Sequence, residues 1–317
     1  RESGKEIIRR LAKNSDVVIH NFKTGTMERL GLGYETLRTL NPRLIYCSIT
    51  GFGETGPYKD LPGYDFIIQA MSGLMSITGE ENGPPLKTGV AITDVLTGLY
   101  ACIGIEAALL AREHTGKGQK IDLSLYDSAT TALVNIASNF LMSGNIPGRL
   151  GNRHPNIVPY QSFQTSDGEI AIAVGNDRQF QTLCELLDLG QLASDERFAT
   201  NPKRVENRET LIPILEKVFR TRPVSFWREA LEKRKIPCGP IQNLEQVAAD
   251  PQLEAREMLI KMEHPIAGEI KLVASPLKLS ETPVRYVQHP PMPGEHTEEI
   301  LRRIGFSQEE IEAYKEE

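Results

Sequence analysis

Two aspartates stand at the starts of apolar helices within residues 63–98, GYDFIIQAMSGLMSITGEENGPPLKTGVAITDVLTG. After Asp94, the run VLTGLYACIGIEAALLAR predicts a helix that is apolar on nearly all sides. The first turn of such a helix stabilises anions, because its N–H groups are unpaired and the positive end of the helix dipole lies there. A carboxylate held at this position can act as a nucleophile and favour the oxyanion of an attacked carbonyl. Helix N-capping is the structural alternative for Asp94.

Asp65, in PGYD, precedes the helical pattern that runs into Gln69. Its carboxylate could position an acceptor or move a proton. The alternative role is the N-cap of the helix that follows it. The two aspartates together are the candidate catalytic groups.

A weaker candidate is the group formed by Arg149, Arg153 and His154 in GRLGNRHPN. Arginine binds carboxylates through two parallel hydrogen bonds, so these residues could form a cationic pocket for a substrate carboxylate. Solvated charge on a linker is the alternative. The glycine-rich run SITGFGETGPY at 48–58 lacks both the GxGxxG spacing and the Walker lysine, so its glycines are predicted to form turns.

Helical stripes alternate with short β-branched runs, which predicts an α/β protein with a largely parallel sheet. The predicted strands of the first domain are 16–20, 44–49 and 120–124, and its helices are 2–13, 64–77, 94–113 and 125–142. A stretch rich in Gly, Pro and Asn then predicts a linker. The later elements are strands 169–174, 258–263 and 269–273, and helices near 178–187, 205–219, 225–233, 295–304 and 308–315.

The predicted organisation is therefore a large domain and a smaller α+β domain joined by long linkers. Their bounds are 1–143 for the large domain, 144–158 for a linker, 159–257 for the small domain, 258–294 for a second linker, and 295–317 for C-terminal helices that return to the large domain. Connectors of this length exceed ordinary loops and need a partner surface on which to pack, so a homodimer is expected.

Composition limits the classes of function. The chain has 317 residues, with 36 Lys and Arg against 42 Asp and Glu, and its net charge of −6 predicts no binding to nucleic acid or to a membrane surface. The apolar helix at 95–111 is expected to be too short for a membrane span. The four cysteines are far apart without a CxxC pair, which favours reduced thiols in a cytoplasmic compartment (or the mitochondrial matrix in a eukaryote) and no metal site.

Several motifs resemble the class III CoA-transferases, the CaiB/BaiF and formyl-CoA transferase family. They include HNFKTGTMERLGLGYETL, NPRLIYCSITGFGETGPY, PGYD, TGVAITD, TGKGQKIDLSLYD, IPCGPI and PGEHTEEIL, which cover almost the whole chain. The resemblance implies that the acyl group is carried by Asp94 and that Asp65 is important for turnover. It also implies that coenzyme A, as a substrate, contacts Asn21, Phe22 and Arg29.

The resemblance further implies a Rossmann-like large domain and a dimer of two interlocked, ring-like subunits. Family members carry residues before the point at which this chain begins, RESGKEIIRR, and these supply the first strand and helix of the sheet and several coenzyme A contacts. We therefore expect the large domain to lack its N-terminal part. The implied reaction moves CoA from an acyl-CoA to a carboxylic acid through acyl-aspartyl and aspartyl-CoA intermediates.

Within the family, GVAITDVLTGLYA and VPYQSFQTSDGEIAIAVGN resemble the dicarboxylate enzymes typified by succinyl-CoA:glutarate CoA-transferase. Two alternatives remain open. The related α-methylacyl-CoA racemases carry a histidine beside the position of Asp65, where this chain has Tyr64, a poor base at neutral pH. A non-catalytic, truncated CoA-binding homologue is the other alternative.

Overall fold

The computed structural model describes residues 1–316, with side chains up to residue 314. It divides into two compact units, one formed by Arg1–Gly151 with the segment that begins at His296, the other by Asn152–Glu295. The boundary at Gly151 lies inside the segment 144–158 that was predicted as a linker.

The first unit is built on a three-stranded parallel sheet in the order β1-β2-β3. Its strands are β1 (Val17–His20), β2 (Ile45–Thr50) and β3 (Lys120–Ser124). Its helices up to the boundary are α1 (Glu2–Asn14), α2 (Thr26–Arg29), α3 (Tyr34–Leu40), α4 (Asp65–Met71), α5 (Leu74–Ile77), α6 (Ile92–Thr115), α7 (Leu125–Thr131) and α8 (Val134–Ser143). This arrangement confirms the predicted α/β class with a parallel sheet.

The central strand β2, IYCSIT, is buried at five of its six positions, as expected for a parallel strand covered on both faces. Helix α6 ends at Gly116 in the left-handed conformation, whose N–H donates to the Arg112 carbonyl. The buried Arg112 guanidinium forms an ion pair with Asp16 at 2.8 Å and donates to the Arg43 carbonyl at 3.1 Å. These contacts fix the end of α6 to the segments that lead into β1 and β2.

Two predicted helices of this unit are each broken into two. The helix predicted at 64–77 is interrupted between α4 and α5 at Gly73, whose φ of 92° is incompatible with a continuous helix. The helix predicted at 125–142 is interrupted between α7 and α8. In both cases the apolar pattern continues across the break, so periodicity alone does not reveal it.

Helix α6 is 24 residues long and apolar enough to cross a membrane, by length and composition only. The expectation that it is too short for a span was wrong, because the helix extends beyond the apolar run in both directions. Core helices of soluble proteins pass the same test. The prediction that this protein has no membrane partner stays a prediction.

The second unit has an antiparallel sheet in the order β4-β5-β6 and a separate hairpin, β7-β8. The strands are β4 (Tyr160–Gln164), β5 (Glu169–Ala173), β6 (Cys238–Pro240), β7 (Leu259–His264) and β8 (Gly268–Val273). The helices are α9 (Asp177–Leu186), α10 (Gly190–Ser194), α11 (Asn201–Glu206), α12 (Arg208–Phe219), α13 (Val224–Lys233), α14 (Leu244–Ala248) and α15 (Pro251–Ala255). The helix predicted at 205–219 is therefore two helices, and β4 was not predicted.

This second unit carries a continuous hydrophobic core that includes Phe163, Phe180, Phe198, Phe219 and Trp227. The last helices, α16 (Thr297–Arg303) and α17 (Gln308–Glu316), belong to the first unit. There the Arg10 guanidinium lies 3.9 Å from the centre of the Phe306 ring.

Candidate active site

The candidate site lies at the carboxyl ends of the three parallel strands. Asn21 follows β1, Thr50 ends β2, Gly51 comes directly after it, and Leu125 follows β3. All four residues line a cavity of about 380 Å³. The first turns of α4 and α6 form the other walls. Open α/β sheets bind ligands at this edge, because the loops that connect strands to helices converge there.

Asp94 lines this cavity from the first turn of α6. It is the third residue of the helix, the N-cap is Ala91, and no side-chain cap bond is present, so the capping alternative for Asp94 is wrong. Within residues 1–316, nothing hydrogen-bonds to its exposed carboxylate. Partial burial by the cavity walls raises the pKa of Asp94, and the negative charge of Asp65 raises it further. The group is therefore an unpaired carboxylate of increased basicity that faces a cavity.

Asp65 is the first residue of α4, yet it does not cap α4. Its Oδ1 accepts hydrogen bonds from the Thr93 backbone N–H at 3.0 Å and from the Thr93 hydroxyl at 2.8 Å. Its Oδ2 accepts a hydrogen bond from the Gln69 amide at 2.8 Å. The N-cap alternative for Asp65 was wrong about the helix, because this carboxylate caps the start of α6.

Gln69 extends the same network to the segment before α6. Its Oε1 accepts from the Thr88 N–H at 3.0 Å and from the Thr88 hydroxyl at 3.4 Å. Gln69 and Thr93 have no solvent exposure. Sequence reasoning missed Gln69, Thr88 and Thr93. Thr88 and Thr93 bond to partners 19 and 28 residues away, which no local pattern indicates, whereas the spacing of four residues between Asp65 and Gln69 is a helical signal that could have found Gln69.

A second cavity, of about 140 Å³, adjoins the first. The two share Asn21, Gly51 and Tyr64, and the second is also lined by Phe22, Lys23 and Lys59. It therefore brings together two of the predicted coenzyme A contacts and two lysine side chains. Lysine ammonium groups bind phosphate as point charges.

His20 fixes the backbone of this loop from the end of β1. Its Nδ1 accepts a hydrogen bond from the Phe22 N–H at 3.3 Å, and the two rings are stacked with centroids 6.0 Å apart. Burial lowers the pKa of His20, against the opposing effect of Glu54 and Glu28. The imidazole is accordingly neutral at pH 7, as the acceptor role of Nδ1 requires.

The third predicted coenzyme A contact, Arg29, does not line either cavity. Its guanidinium donates to the Thr26 hydroxyl at 2.9 Å within α2. Arg149 donates to the carbonyls of Glu80 at 3.3 Å and Gly83 at 2.8 Å, so it holds the turn that these residues form.

Arg153 and His154 belong to the second unit, whereas Arg149 belongs to the first. Arg153 forms an ion pair with Glu209 at 3.1 Å. The His154 ring stacks on Tyr160 at 5.1 Å, and burial together with the charge of Arg208 lowers the pKa of His154. Their role in a carboxylate pocket with Arg149 stays a prediction.

The glycine-rich loop after β2 contributes directly to the cavity wall. A Cβ atom on Gly51 would lie 2.5 Å from the Gly63 Cα, so the two segments approach as closely as glycine alone permits. Gly53 and Gly56 have positive φ angles of 89° and 83°, which confirms that glycines of this loop form turns. The turns bring Thr50 and Gly51 to the site, a role that the missing phosphate-loop spacing did not indicate.

The fold and this site define an α/β protein with an unpaired carboxylate in a cavity at the carboxyl ends of its parallel strands. A model of CoA-transferase family III matches residues 1–297. A succinate–glutarate CoA-transferase of Agrobacterium fabrum is 46% identical over 301 residues, covering 95% of this chain and 75% of the relative. A human succinyl-CoA:glutarate CoA-transferase is 42% identical and covers 95% of this chain and 69% of the relative.

Among solved structures, a CaiB/BaiF family protein from Brucella suis has a TM-score of 0.83 at 46% identity. The match covers 96% of this chain and 79% of the Brucella suis chain. This chain therefore belongs to CoA-transferase family III, and the resemblance found in its motifs is confirmed. It is a CoA-transferase, whose substrates are CoA thioesters and carboxylic acids.

Proposed function

We propose that this protein moves CoA between carboxylic acids through covalent intermediates on Asp94. The observation that supports this most directly is the unpaired Asp94 carboxylate, which lines the cavity at the carboxyl ends of β1 to β3. Burial by the cavity walls and the nearby charge of Asp65 raise the pKa of Asp94, which makes this carboxylate more basic than an ordinary aspartate.

In the proposed reaction, an Asp94 oxygen attacks the thioester carbonyl of the donor. The C–S bond breaks, which gives an acyl-aspartyl anhydride and the CoA thiolate. The thiolate then attacks the aspartyl carbonyl, the donor acid leaves as a carboxylate, and an aspartyl-CoA thioester remains. An acceptor carboxylate repeats the two steps in reverse and regenerates Asp94. Every nucleophile enters as an anion and every leaving group departs as one, so no step requires a proton or ATP.

The structure narrows the groups that could stabilise the oxyanions. In the first turn of α6, the Thr93 N–H is bound to Asp65 and the Val95 N–H donates to the Ala91 carbonyl at 3.2 Å. The Thr93 N–H is therefore not free to bind an oxyanion. The Asp94 N–H in this first turn and the backbone N–H groups around Gly51 are the candidate donors to the oxyanions.

Coenzyme A would enter along the two adjoining cavities. Asn21 lines both cavities, Phe22 lines the second, and half of the Phe22 surface is exposed for contact with a ligand. Lys23 and Lys59 would face the phosphate groups, with the thiol end directed to Asp94. Arg29 joins this surface once its side chain turns away from Thr26.

The proposed acid substrates are dicarboxylates of the size of succinate and glutarate. The support for this is the similarity to two relatives: the succinate–glutarate CoA-transferase of Agrobacterium fabrum is 46% identical to this chain, and the human succinyl-CoA:glutarate CoA-transferase is 42% identical.

An interlocked homodimer is the proposed assembly. Helix α6 exposes Leu99 (57%), Ile103 (60%) and Leu110 (67%), and this spacing places them along one face of the helix. A long apolar face of this kind indicates an interaction surface. We expect a dimer by light scattering that persists on dilution until the chain unfolds, because interlocked subunits cannot separate while folded. A monomer at micromolar concentration would contradict this assembly.

The test of the proposed activity is an incubation with succinyl-CoA and a panel of free mono- and dicarboxylic acids, followed by profiling of CoA esters. We expect glutaryl-CoA and the CoA esters of other dicarboxylic acids of similar size, except succinate, whose product would be the donor itself. The control variant is Glu229→Gln, which neutralises an exposed carboxylate on α13 and should leave the rate unchanged. Exchange of the α-proton of a methyl-branched acyl-CoA without ester formation would favour the racemase alternative. A folded dimer with neither activity would favour the non-catalytic one.

A further inference from the structure

A buried polar network joins the starts of the two helices that carry the aspartates. Asp65 accepts three hydrogen bonds, two from Thr93 in α6 and one from Gln69 in α4. Gln69 also accepts two hydrogen bonds from Thr88, and the Thr88 hydroxyl donates to the Val90 carbonyl at 2.9 Å. The network therefore spans α4, the segment that enters α6, and the first turn of α6.

Both oxygens of Asp65 are already occupied by protein donors. Protonation of this carboxylate would weaken its bonds to the buried donors on Gln69 and Thr93, because a neutral carboxyl group is a poorer acceptor than a carboxylate. The reaction proposed above contains no step that needs a proton. Three of the roughly four acceptor positions of the Asp65 carboxylate are therefore used by protein donors, and the proposed reaction gives this group no proton to exchange, although it lines the same cavity as Asp94.

We propose that Asp65 is a positioning residue that acts through Thr93 and Gln69 to fix the first turn of α6, and with it the Asp94 carboxylate. Thr93 directly precedes Asp94 in the chain, so each bond to Thr93 restrains the backbone that carries the nucleophile. The Thr97 hydroxyl adds a bond to the Thr93 carbonyl at 2.6 Å from the next turn. This inference rests on the proposed role of Asp94 and assigns Gln69 and Thr93 as further positioning residues.

Thr93→Val and Gln69→Leu test the proposal, because each removes donors to Asp65 while the charge of Asp65 remains. We expect kcat to fall by about 10-fold to 100-fold, which is the range expected for the loss of a hydrogen bond to a charged group. The KM for succinyl-CoA should change less than about twofold, since these buried side chains do not contact CoA. Thr93→Ser retains the hydroxyl and should stay within about threefold of the parent.

A double-mutant cycle separates positioning from proton transfer. If Asp65 acts through Thr93, the two substitutions affect the same interaction and their effects should not add. The kcat of the double variant Asp65→Asn/Thr93→Val should then stay within about threefold of that of the slower single variant. If Asp65 transfers protons, Asp65→Asn alone should abolish turnover while Thr93→Val and Gln69→Leu stay near the parent rate. That second pattern would overturn the proposal.

The pH profile gives a readout that loss of structure does not move. The charge of Asp65, facing Asp94 from α4, raises the pKa of Asp94. Asp65→Asn should therefore shift the acid limb of kcat/KM to lower pH, whereas Thr93→Val should not shift it downwards. Identical limbs in the parent and in Asp65→Asn would contradict the proposed electrostatic contact.

Amide hydrogen exchange tests the network without any assay of activity. The Thr93 N–H should be protected in the parent, and its exchange should accelerate about 10-fold or more in Gln69→Leu, in which Asp65 loses a restraint. An unprotected Thr93 N–H in the folded parent would refute the network itself. A protected N–H in a protein that transfers no CoA would instead show that the proposed function had failed and the network had not.

Discussion

The starts of α4 and α6 present the same residue type in the same kind of place, with opposite surroundings. Asp65 at the start of α4 is bonded through both oxygens to Thr93 and Gln69. Asp94 at the start of α6 is exposed, and no hydrogen bond to its carboxylate occurs within residues 1–316. The difference shows that position at a helix start does not decide the role of an aspartate. The donors that surround it do.

This contrast also divides activity from stability. A carboxylate with three donors stabilises the fold, and its removal leaves buried groups unsatisfied. An unpaired carboxylate in a cavity contributes reactivity, and its pKa is raised because its surroundings disfavour its charge. Substitution of Asp94 should therefore reduce activity without a loss of stability, whereas substitution of Asp65 should lower the stability of the fold.

The largest expected effect is the loss of transfer in Asp94→Asn. The variant keeps the size and hydrogen-bonding capacity of the side chain but removes the nucleophile, so kcat should fall more than about 1000-fold. Steady-state formation of new CoA esters measures this loss, with Glu229→Gln as the control for removal of an exposed carboxylate. Turnover within about tenfold of the parent would contradict the role of Asp94 as the nucleophile.

The next effect is on stability, at the other aspartate. Asp65→Ala should lower the free energy of unfolding by about 2 to 4 kcal/mol, because it leaves the Gln69 amide and the Thr93 N–H and hydroxyl without their acceptor. Urea unfolding measures this change. A loss below about 0.5 kcal/mol would mean that the network contributes little to the fold.

The pH dependence of stability should differ in sign between Asp94 and a stabilised carboxylate. Since the folded pKa of Asp94 is raised above its unfolded value of about 3.9, its charge destabilises the folded state at neutral pH. This penalty grows as the pH rises through the unfolded pKa and levels off above the folded one. Asp94→Asn should therefore raise Tm slightly at pH 7 and have no such effect at pH 3. An equal or lower Tm at pH 7 would contradict the raised pKa.

A smaller effect concerns His20, whose neutral ring holds the loop of Asn21 and Phe22. Because burial lowers the pKa of His20, the hydrogen bond persists at pH 7 and is lost only as the pH falls below the ordinary value of about 6.5. The KM for acyl-CoA should rise about twofold to fivefold between pH 7 and pH 5. The variant His20→Gln should lack most of this pH dependence, and an unchanged profile would exclude His20 as its origin.

The smallest effect is expected at Gly98, which lines the cavity from within α6. A Cβ atom there would meet no atom within 4 Å, so Gly98→Ala should stabilise the helix by about 0.5 to 1 kcal/mol. The added methyl group narrows the cavity beside Asp94. We expect the KM for glutarate to rise above its value in the parent, and to rise by a larger factor than the KM for succinate. Both constants would be measured in the ester assay.

Much of the large unit could be predicted from the sequence, because its signals are local. The strands β1 to β3 were predicted to within one residue at each end, and the motif TGVAITD identified Asp94. The breaks at Gly73 and after α7 could not be predicted, since the apolar pattern continues across them. The strand β4 was missed as well, because only its pairing with β5 distinguishes it from the linker before it.

The place of Asp94 at the start of α6 was likewise predictable, and its role as the nucleophile stays a prediction, whereas the hydrogen-bond partners of Asp65 could not be predicted. The sequence leaves acid–base catalysis, acceptor positioning and capping of α4 open for Asp65. Its donors on Thr93, 28 residues away, depend on how α4 packs against α6. Gln69 could have been found from its spacing of four residues from Asp65 on one helix, but its bonds to Thr88 depend on the packing of distant segments.

The most direct test of the account is to find where the covalent intermediate forms. The folded protein would be mixed with succinyl-CoA, quenched in acid and digested, and the peptides that contain Asp94 and Asp65 would be examined by mass spectrometry. The account predicts a labile adduct of CoA or a succinyl group on Asp94, none on Asp65, and no adduct in Asp94→Asn. An adduct on Asp65, or one that persists in Asp94→Asn, would contradict it.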